Sequence, residues 1–240
     1  MVKLFRDADE LSQYAARAFV ETANRSIAER GRFLVALSGG STPMKLYERL
    51  ASEPLDWSRV HFFWGDERCV PVDDADNSYG QTKKILFDKI GTTNIHRIES
   101  ELEPDSAAKE YADTLKVFAE APFDFPRFDL VLLGMGDDGH TASLFPNSPV
   151  DMDSPVVAVT AQYQDRPANR VTLTPLVFNQ AREIWFLVTG AGKAETLHNV
   201  LKGARNLEKY PAQRIRPVDG KLVWLVDEAA GRLLEAPLVE

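Results

Sequence analysis

The sequence predicts an α/β fold in which helices cover both faces of a doubly wound, mainly parallel sheet. Short apolar segments alternate along the chain with amphipathic segments of helical periodicity. Most of the apolar segments also end abruptly in turns rich in glycine and polar residues. Strand, helix and strand in succession form a right-handed crossover between parallel strands. No linker-like change in composition interrupts the 240 residues, so we expect residues 1–240 to form a single domain.

The predicted elements of the first half begin with a long helix. Asp7 is suited to cap its N-terminus, apolar residues follow at helical spacing, and Gly31 is suited to end it. Strands are expected where runs of mostly apolar residues occur, since a sheet covered on both faces buries its strands. In chain order, the predictions after this helix are a strand at 33–37, a helix from Pro43 to Leu50, a strand at 60–64, helices at 77–90 and 105–120, and a strand at 128–133.

The second half continues the alternation. Thr174 and Pro175 together are typical of a helix start, and Gly203 is suited to stop a later helix. The predictions in chain order are strands at 156–160 and 170–173, a short helix after Pro175, a strand at 184–188, a helix that ends near Leu201, a strand at 222–226 and a helix at 228–234. The pattern as a whole is typical of a Rossmann-like sheet.

Four polar turns follow predicted strands and are expected to lie together. They comprise residues 38–43, 65–68, 134–140 and 189–193. Ligands of open α/β sheets bind beyond the carboxyl ends of the strands, where such turns meet. The sequence therefore predicts a binding or catalytic site that these turns form jointly.

Composition limits the classes of partner. Hydrophobic residues make up 44% of the chain and charged residues 27%, which is ordinary for a globular protein. The formal net charge of −8 disfavours nucleic acid or an anionic membrane surface as the main partner, although a pocket can still attract a small anion. One cysteine, Cys69, excludes an intramolecular disulfide and suits a reducing compartment. Because no signal-like or membrane-spanning run is evident, we expect a cytoplasmic protein.

The turn at 38–43 has the chemistry of an anion site. Gly39 and Gly40 can expose backbone N–H groups, Ser41 and Thr42 carry hydroxyls, and the following helix directs the positive end of its dipole at the turn. A phosphate group fits this pattern. A tight strand-to-helix turn with a Ser or Thr cap fits it equally well, so spacing alone does not decide between them.

His140 is the candidate catalytic residue. It follows a predicted strand end and lies two residues after Asp138, so the carboxylate can hold one ring nitrogen while the other faces a substrate. The other histidines lie in a predicted strand (His61), in a possible short strand near Ile95 to Ile98 (His96) and in a predicted helix (His198), where packing or solvation explains a histidine. We therefore expect His140 to act in proton transfer.

Other chemistries match the glycine-rich turns less well. Gly134 to Gly139 has the spacing of a dinucleotide fingerprint, but little room remains for the helix that would bind the pyrophosphate. Ser41 lacks the second glycine of a serine-hydrolase elbow, and Lys193 lacks the flanking residues of a P-loop lysine. Asp137, Asp138 and His140 could bind a divalent metal, yet no second histidine at helical spacing completes a zinc site.

Three basic residues, Arg68, Arg170 and Lys193, lie at predicted strand ends or glycine turns that face the same edge. Taken singly, each could equally be an ordinary surface charge. Cys69, next to Arg68, could be an activated thiol, although an incidental thiol is the simpler interpretation.

Four segments in this order resemble the signature blocks of the 6-phosphogluconolactonase family. They are Leu37-Ser-Gly-Gly-Ser-Thr-Pro43, Phe63-Trp-Gly-Asp-Glu-Arg-Cys-Val-Pro71, Leu133-Gly-Met-Gly-Asp-Asp-Gly-His-Thr-Ala-Ser-Leu-Phe-Pro146 and Arg170-Val-Thr-Leu-Thr-Pro175. The resemblance spans nearly the whole chain. It implies hydrolysis of 6-phosphoglucono-1,5-lactone to 6-phosphogluconate in the oxidative pentose phosphate pathway, without a cofactor, and a fold shared with glucosamine-6-phosphate deaminases.

Phe145 distinguishes this chain from the glucosamine-6-phosphate deaminases, which share the fold that the resemblance implies. Those enzymes have a glutamate at the matching position, before the proline, and it belongs to their ring-opening and isomerisation machinery. Its absence here favours lactone hydrolysis. A sugar-phosphate isomerase or deaminase and a non-catalytic sugar-phosphate sensor remain the alternatives, and the intact pair of Asp138 and His140 disfavours the sensor.

The residues and the resemblance together suggest a division of roles. His140, held by Asp138, is expected to be the general base for water, while Arg68 stabilises the oxyanion and Asp66 orients nearby groups. No metal is needed to open a reactive lactone. The substrate phosphate is expected to bind Gly39, Gly40, Ser41, Thr42, Arg170 and Lys193. The pattern makes no prediction about oligomeric state.

Overall fold

In residues 1–149, 152–163 and 167–234, which the computed structural model of the protein describes, the strands form two sheets. The strands are β1 (Val2–Phe5), β2 (Phe33–Leu37), β3 (Val60–Trp64), β4 (Asp66–Arg68), β5 (Leu130–Leu133), β6 (Val156–Thr160), β7 (Asn169–Leu173), β8 (Glu183–Val188) and β9 (Lys221–Asp227). The main sheet has six strands in the order β1-β9-β8-β5-β2-β3, and every neighbouring pair is parallel. A second sheet has the order β4-β7-β6 and is antiparallel.

Helices lie in the connections between the parallel strands, and the last helix follows the last strand. They are α1 (Ala8–Arg30), α2 (Ser41–Leu50), α3 (Ser78–Thr82), α4 (Asp88–Ile90), α5 (Pro104–Lys116), α6 (Pro175–Phe178), α7 (Ala194–Lys202) and α8 (Glu228–Gly231). A π-helical segment, Lys83–Phe87, joins α3 to α4, and 3-10 turns lie at Trp57–Arg59, Ala191–Lys193 and Pro211–Arg214. None of the helices in the described residues is both long and apolar enough to cross a membrane. The predicted class, a doubly wound and mainly parallel α/β fold in a single domain, is confirmed.

The predicted ends of the first helix are confirmed by its capping contacts. The carboxylate of Asp7 accepts hydrogen bonds from the N–H groups of Asp9, at 3.0 Å, and Glu10, at 2.9 Å. Gly31 ends the helix with φ of 77°, and its N–H donates to the carbonyl of Ile27. Three other helices differ from the prediction. Helix α2 starts at Ser41, two residues before Pro43. The helix predicted at 77–90 is divided by the π-helical segment, and the helix predicted at 105–120 ends at Lys116.

The strands predicted at 156–160 and 170–173 are present, but they lie outside the parallel sheet. β6 and β7 pair antiparallel with each other, and β7 pairs antiparallel with β4. The segment 161–168 between β6 and β7 is too short for the helical crossover that parallel neighbours require. The sequence prediction also misses β1 and β4, because both strands are short and partly exposed, so no apolar run marks them.

The order of the main sheet reverses at β2. From β2 the chain passes to β3 at one edge, returns to β5 on the other side of β2, and continues through β8 to β9. The turns that follow β2, β5 and β8 therefore lie side by side at the carboxyl edge. Such a reversal is the usual place for a ligand in an open α/β sheet.

Two buried tyrosines complete the hydrogen bonding at the ends of β2 and β3. The hydroxyl of Tyr47 accepts from the N–H of Ser38 at 3.1 Å and donates to the carbonyl of the same residue at 2.8 Å. The hydroxyl of Tyr111 does the same for Trp64, at 2.8 and 2.9 Å. Both side chains are fully buried, which raises the pKa of each phenol and keeps it neutral. These contacts give the buried backbone groups of Ser38 and Trp64 their hydrogen-bond partners.

Replacing Tyr47 with Phe is expected to lower the free energy of unfolding by about 1–3 kcal/mol, because the N–H and C=O of Ser38 lose their buried partner. Chemical denaturation followed by circular dichroism measures this change. Tyr14→Phe is the control, since that hydroxyl is half-buried and contacts Lys3; a change below about 0.5 kcal/mol is expected there. Equal stability of Tyr47→Phe and the unmodified protein would refute the proposed contribution of the hydroxyl.

Candidate active site

A cavity of about 290 Å³ opens at the carboxyl edge of the main sheet, beside β4 and β7 of the second sheet. Nine of the ten residues predicted to form the site line it, and Asp138, the tenth, lies against one of them, His140. The nine are Gly39, Gly40, Ser41, Thr42, Asp66, Arg68, His140, Arg170 and Lys193. The cavity thus receives side chains from both sheets.

The turn after β2 presents the start of α2 to this cavity. Gly40 precedes the helix, and no side chain caps it, so the first N–H groups and the positive end of the helix dipole remain available to an anion. A methyl group on Gly39 would come within 2.3 Å of the hydroxyl oxygen of Ser78, so only glycine allows this close approach. The hydroxyl of Thr42 is hydrogen-bonded to that of Thr189 at 2.7 Å, which joins this turn to the one after β8.

The turn after β5 fixes the imidazole of His140. Its Nδ1 lies 2.7 Å from Oδ1 of Asp138, and the same oxygen accepts the backbone N–H of His140 at 3.0 Å. Burial alone would raise the pKa of Asp138, but the hydrogen bonds from His140 outweigh it and hold that pKa below its usual range. Gly136 permits the arrangement, since a Cβ there would lie 2.1 Å from Nδ1. With Nδ1 bonded to the carboxylate, Nε2 is the ring nitrogen that can exchange a proton with a substrate.

Two aromatic rings pack against the imidazole. The ring centroid of His140 is 4.7 Å from that of Phe145 and 4.5 Å from that of Tyr163. Tyr163 also lines the cavity, although no sequence signal singles it out, because it lies in the connection after β6. The two rings restrict the orientation of the imidazole.

Arg68 and Arg170 lie side by side in the second sheet, where they are register partners on the neighbouring strands β4 and β7. Arg68 donates to the carbonyl of Asp76 at 2.8 Å. Arg170 is 4% exposed, and its guanidinium carbon lies 5.3 Å above the ring of Phe145. An ordinary surface charge, the alternative left open by the sequence, is therefore wrong for Arg170.

The carboxylates of the second sheet are engaged in positioning contacts. Asp66 accepts a hydrogen bond of 2.6 Å from the hydroxyl of Ser143, a fully buried residue of the loop that follows His140. The sequence places Asp66 in the site, but the contact to Ser143 was not predicted. It ties the second sheet to the turn after β5.

Glu67 is a cavity residue that the sequence reasoning missed. Its buried carboxylate accepts the backbone N–H groups of Arg68 and Ser78, each at 2.9 Å, and of Tyr79, at 2.8 Å. Burial raises its pKa to about 7, although the three N–H donors favour the ionised form. Glu67 thereby holds the backbone of β4 against the start of α3. The sequence does contain a signal for this residue, since Glu67 lies between two predicted site residues, Asp66 and Arg68.

Lys193 is paired with a carboxylate that was not predicted to contact it. Its Nζ lies 2.6 Å from Oδ1 of Asp137, and both residues line the cavity. Asp137, Asp138 and His140 do not form a common metal site, since one carboxylate contacts the lysine and the other the imidazole. Throughout the described residues, no group of three or more His, Cys, Asp or Glu side chains is arranged to hold a metal ion.

Cys69 does not have the properties of a catalytic thiol. It is half-buried, and burial raises its pKa to about 11. A thiol with such a pKa remains protonated near neutral pH, so it is a poor nucleophile. Its environment therefore favours the simpler interpretation, an incidental thiol.

Comparisons with known proteins agree with this geometry. Residues 6–224 match the family described as glucosamine-6-phosphate isomerases/6-phosphogluconolactonase. The chain is 40% identical over 214 residues to a 6-phosphogluconolactonase of Synechocystis sp., with 88% of each chain covered. A 6-phosphogluconolactonase of Haemophilus influenzae is 40% identical over 206 residues, which cover 83% of this chain and 87% of that one.

Solved structures lead to the same family. The structure of 6-phosphogluconolactonase from Trypanosoma brucei superposes with a TM-score of 0.84 at 30% identity and covers 98% of both chains. A monomeric glucosamine-6-phosphate deaminase, at 21% identity and a TM-score of 0.82, shares the fold. With the family match extending over nearly the whole length, this chain belongs to the family of glucosamine-6-phosphate isomerases and 6-phosphogluconolactonases.

Proposed function

We propose that this protein hydrolyses 6-phospho-D-glucono-1,5-lactone to 6-phospho-D-gluconate, the 6-phosphogluconolactonase reaction of the oxidative pentose phosphate pathway. One observation carries the proposal: His140, bonded to Asp138, lines the same cavity as the open N-terminus of α2 and Lys193. A phosphorylated lactone requires a general base and an anion site in one cavity. Relatives named 6-phosphogluconolactonase, at 40% identity, support the same conclusion.

The phosphate of the substrate anchors it at one end of the cavity. The N–H groups of Gly39 and Gly40 and the hydroxyls of Ser41 and Thr42 donate hydrogen bonds to its oxygens. Lys193 adds a positive charge from the turn after β8, which the contact between Thr42 and Thr189 holds beside the first turn. Arg170 contributes from the second sheet. Anchoring by the phosphate places the lactone ring toward the turn after β5.

His140 then activates water for attack on the lactone carbonyl. Nε2 takes a proton from the water as its oxygen forms a bond to the carbonyl carbon, and the carbonyl electrons move onto oxygen. Arg68 stabilises this oxyanion, with Asp66 orienting groups nearby. Collapse breaks the bond to the ring oxygen, which takes the proton back from the imidazolium, so the products are a hydroxyl group and a carboxylic acid that ionises in water. Asp138 stabilises the imidazolium between the two transfers.

The required acceleration is moderate. Lactones of this ring size already hydrolyse in water, and a positioned base typically contributes about 10²–10⁴-fold. One histidine combined with orientation of the substrate is therefore sufficient, without a covalent intermediate.

Phe145 supports lactone hydrolysis over amino-sugar isomerisation. An isomerase must move protons between adjacent carbons and therefore needs more than one acid or base near the ring. Phe145 contributes an apolar ring beside His140, where it packs at 4.7 Å between centroids. We also propose that the protein acts in the cytoplasm, in keeping with its single cysteine.

A coupled assay tests the reaction. Glucose-6-phosphate dehydrogenase generates the lactone in place, and the expected result is that the protein speeds its disappearance well above the spontaneous rate. Decay at the spontaneous rate, together with binding of 6-phosphogluconate, would instead identify a sensor. Turnover of glucosamine 6-phosphate would identify a deaminase.

Replacing His140 with Ala is expected to reduce kcat by about 10²–10⁴-fold, because the general base is lost. Binding of 6-phosphogluconate, measured by calorimetry, should change little, since the phosphate contacts remain. His198→Ala is the matched control, because His198 is exposed on α7 and lies outside the cavity. Near-normal turnover by His140→Ala would remove this residue from the role of base.

Replacing Lys193 with Met is expected to raise KM by about tenfold or more, because a charged hydrogen bond to the phosphate is lost. Its effect on kcat should be smaller, since the contact exists in both the bound and the transition state. Lys202→Met, at the exposed end of α7, controls for the loss of a positive charge. If KM is the same in both variants, the phosphate does not contact Lys193.

A further inference from the structure

The ion pair between Asp137 and Lys193 lies in the part of the cavity proposed to bind phosphate. Nζ of Lys193 is 2.6 Å from Oδ1 of Asp137. Lys193 belongs to the turn after β8, and Thr189 of that turn is hydrogen-bonded to Thr42 at the start of α2. The ammonium that the phosphate needs is therefore already paired with a carboxylate.

The main chain of Asp137 is held against the start of α7. The hydroxyl of Thr196, in the first turn of α7, donates to the carbonyl of Asp137. A Cβ on Gly192 would lie 4.0 Å from Oδ1 of Asp137, so this oxygen sits close over the turn that carries Lys193. The main chain at Asp137 is thus held beside the turn that carries Lys193.

The two side chains differ in their exposure. The side chain of Asp137 is 56% exposed, whereas that of Lys193 is 25% exposed. A carboxylate so accessible to water can leave the lysine and be solvated at little cost, because exposed ion pairs contribute little stability. The lysine, by contrast, is held at the cavity wall.

A phosphate that reaches Lys193 meets Asp137 as a competitor. Both are anions, and the ammonium has only three N–H donors to share between them. Like charges a few ångströms apart repel each other, and the carboxylate already neutralises the lysine. Binding of phosphate therefore requires Asp137 to give up the contact or to tolerate the repulsion.

We propose that Asp137 sets the affinity of the site for phosphorylated ligands by competing with their phosphate for Lys193. This inference rests on the proposed function, since it takes the phosphate end of the substrate to lie at Lys193. The competition weakens the binding of lactone and of 6-phosphogluconate alike, because both carry the same phosphate. It favours release of a product that would otherwise be held by the full set of donors.

The opposite role for Asp137 would be to hold the ammonium in position for the phosphate. The two roles predict effects of opposite sign. Removing a competitor tightens binding, whereas removing a positioning residue weakens it. A substitution that keeps the shape and removes the charge, Asp137→Asn, distinguishes them.

Asp137→Asn is expected to lower the Kd of 6-phosphogluconate and of inorganic phosphate by about two- to tenfold, the size of effect that partly exposed charge pairs produce. Isothermal titration calorimetry measures both values directly. KM for the lactone should fall in parallel. The difference from the unmodified protein should shrink as the salt concentration rises, because salt screens the repulsion.

Glu195→Gln is the matched control. It removes the same charge from an exposed residue in the first turn of α7, two positions from Lys193 and outside the cavity. Its ligand affinities should stay within about twofold of those of the unmodified protein. If Glu195→Gln changes the ligand affinities more than Asp137→Asn does, the net charge of the protein explains the effect and the proposal is overturned.

Unchanged or weaker binding by Asp137→Asn would also overturn the proposal, whether or not the protein hydrolyses the lactone. The proposed function fails separately, if the unmodified protein does not accelerate lactone decay. If the protein does not accelerate lactone decay but Asp137→Asn still binds phosphate more tightly, the competition for Lys193 is supported and only the proposed reaction is refuted.

Discussion

The geometry of the cavity depends on the parallel pairing of β5 between β2 and β8. Val35 is the register partner of Leu130, and Val131 is that of Ile184. All three strands are almost completely buried, so a shift in register would draw the polar residues that follow them into the core and is disfavoured. Because parallel strands end at the same edge, this packing holds the turn of His140 between the two turns proposed to bind the phosphate. The catalytic arrangement is thus a consequence of core burial.

The second sheet adds two cations to the one that the main sheet provides, Lys193. It places Arg68 opposite Arg170, although like charges on opposed strands repel each other. Contacts on either side offset this cost: Arg68 donates to Asp76, and Arg170 lies over the ring of Phe145. Glu67, buried beside them, binds three backbone N–H groups and so fixes the strand in place. Two cations are therefore concentrated at a cavity in a protein whose net charge is −8.

Much of the fold and the outline of the site could be predicted from the sequence, because their signals are local. Apolar runs marked the buried strands, and glycine with hydroxyl residues marked the turn at the start of α2. The contacts that were missed join residues distant in the sequence. Ser143 reaches Asp66 across 77 positions, and no periodicity records such a pair. The antiparallel sheet was missed for a related reason: strand character at 156–160 and 170–173 was visible, but the partner of a strand is set by the length of its connections.

Phe145 and the start of α2 belong to different strand connections, and this separation has a consequence for how the fold can diversify. In the main sheet, the groups proposed to bind the phosphate come after β2 and β8, whereas the proposed general base His140 and its neighbour Phe145 come after β5. A substitution in the loop after β5 can therefore alter the reaction without changing the turns proposed to bind the phosphate. The occurrence of the same fold in a deaminase at 21% identity accords with such modular change. A single scaffold can in this way acquire new chemistry on sugar phosphates one loop at a time.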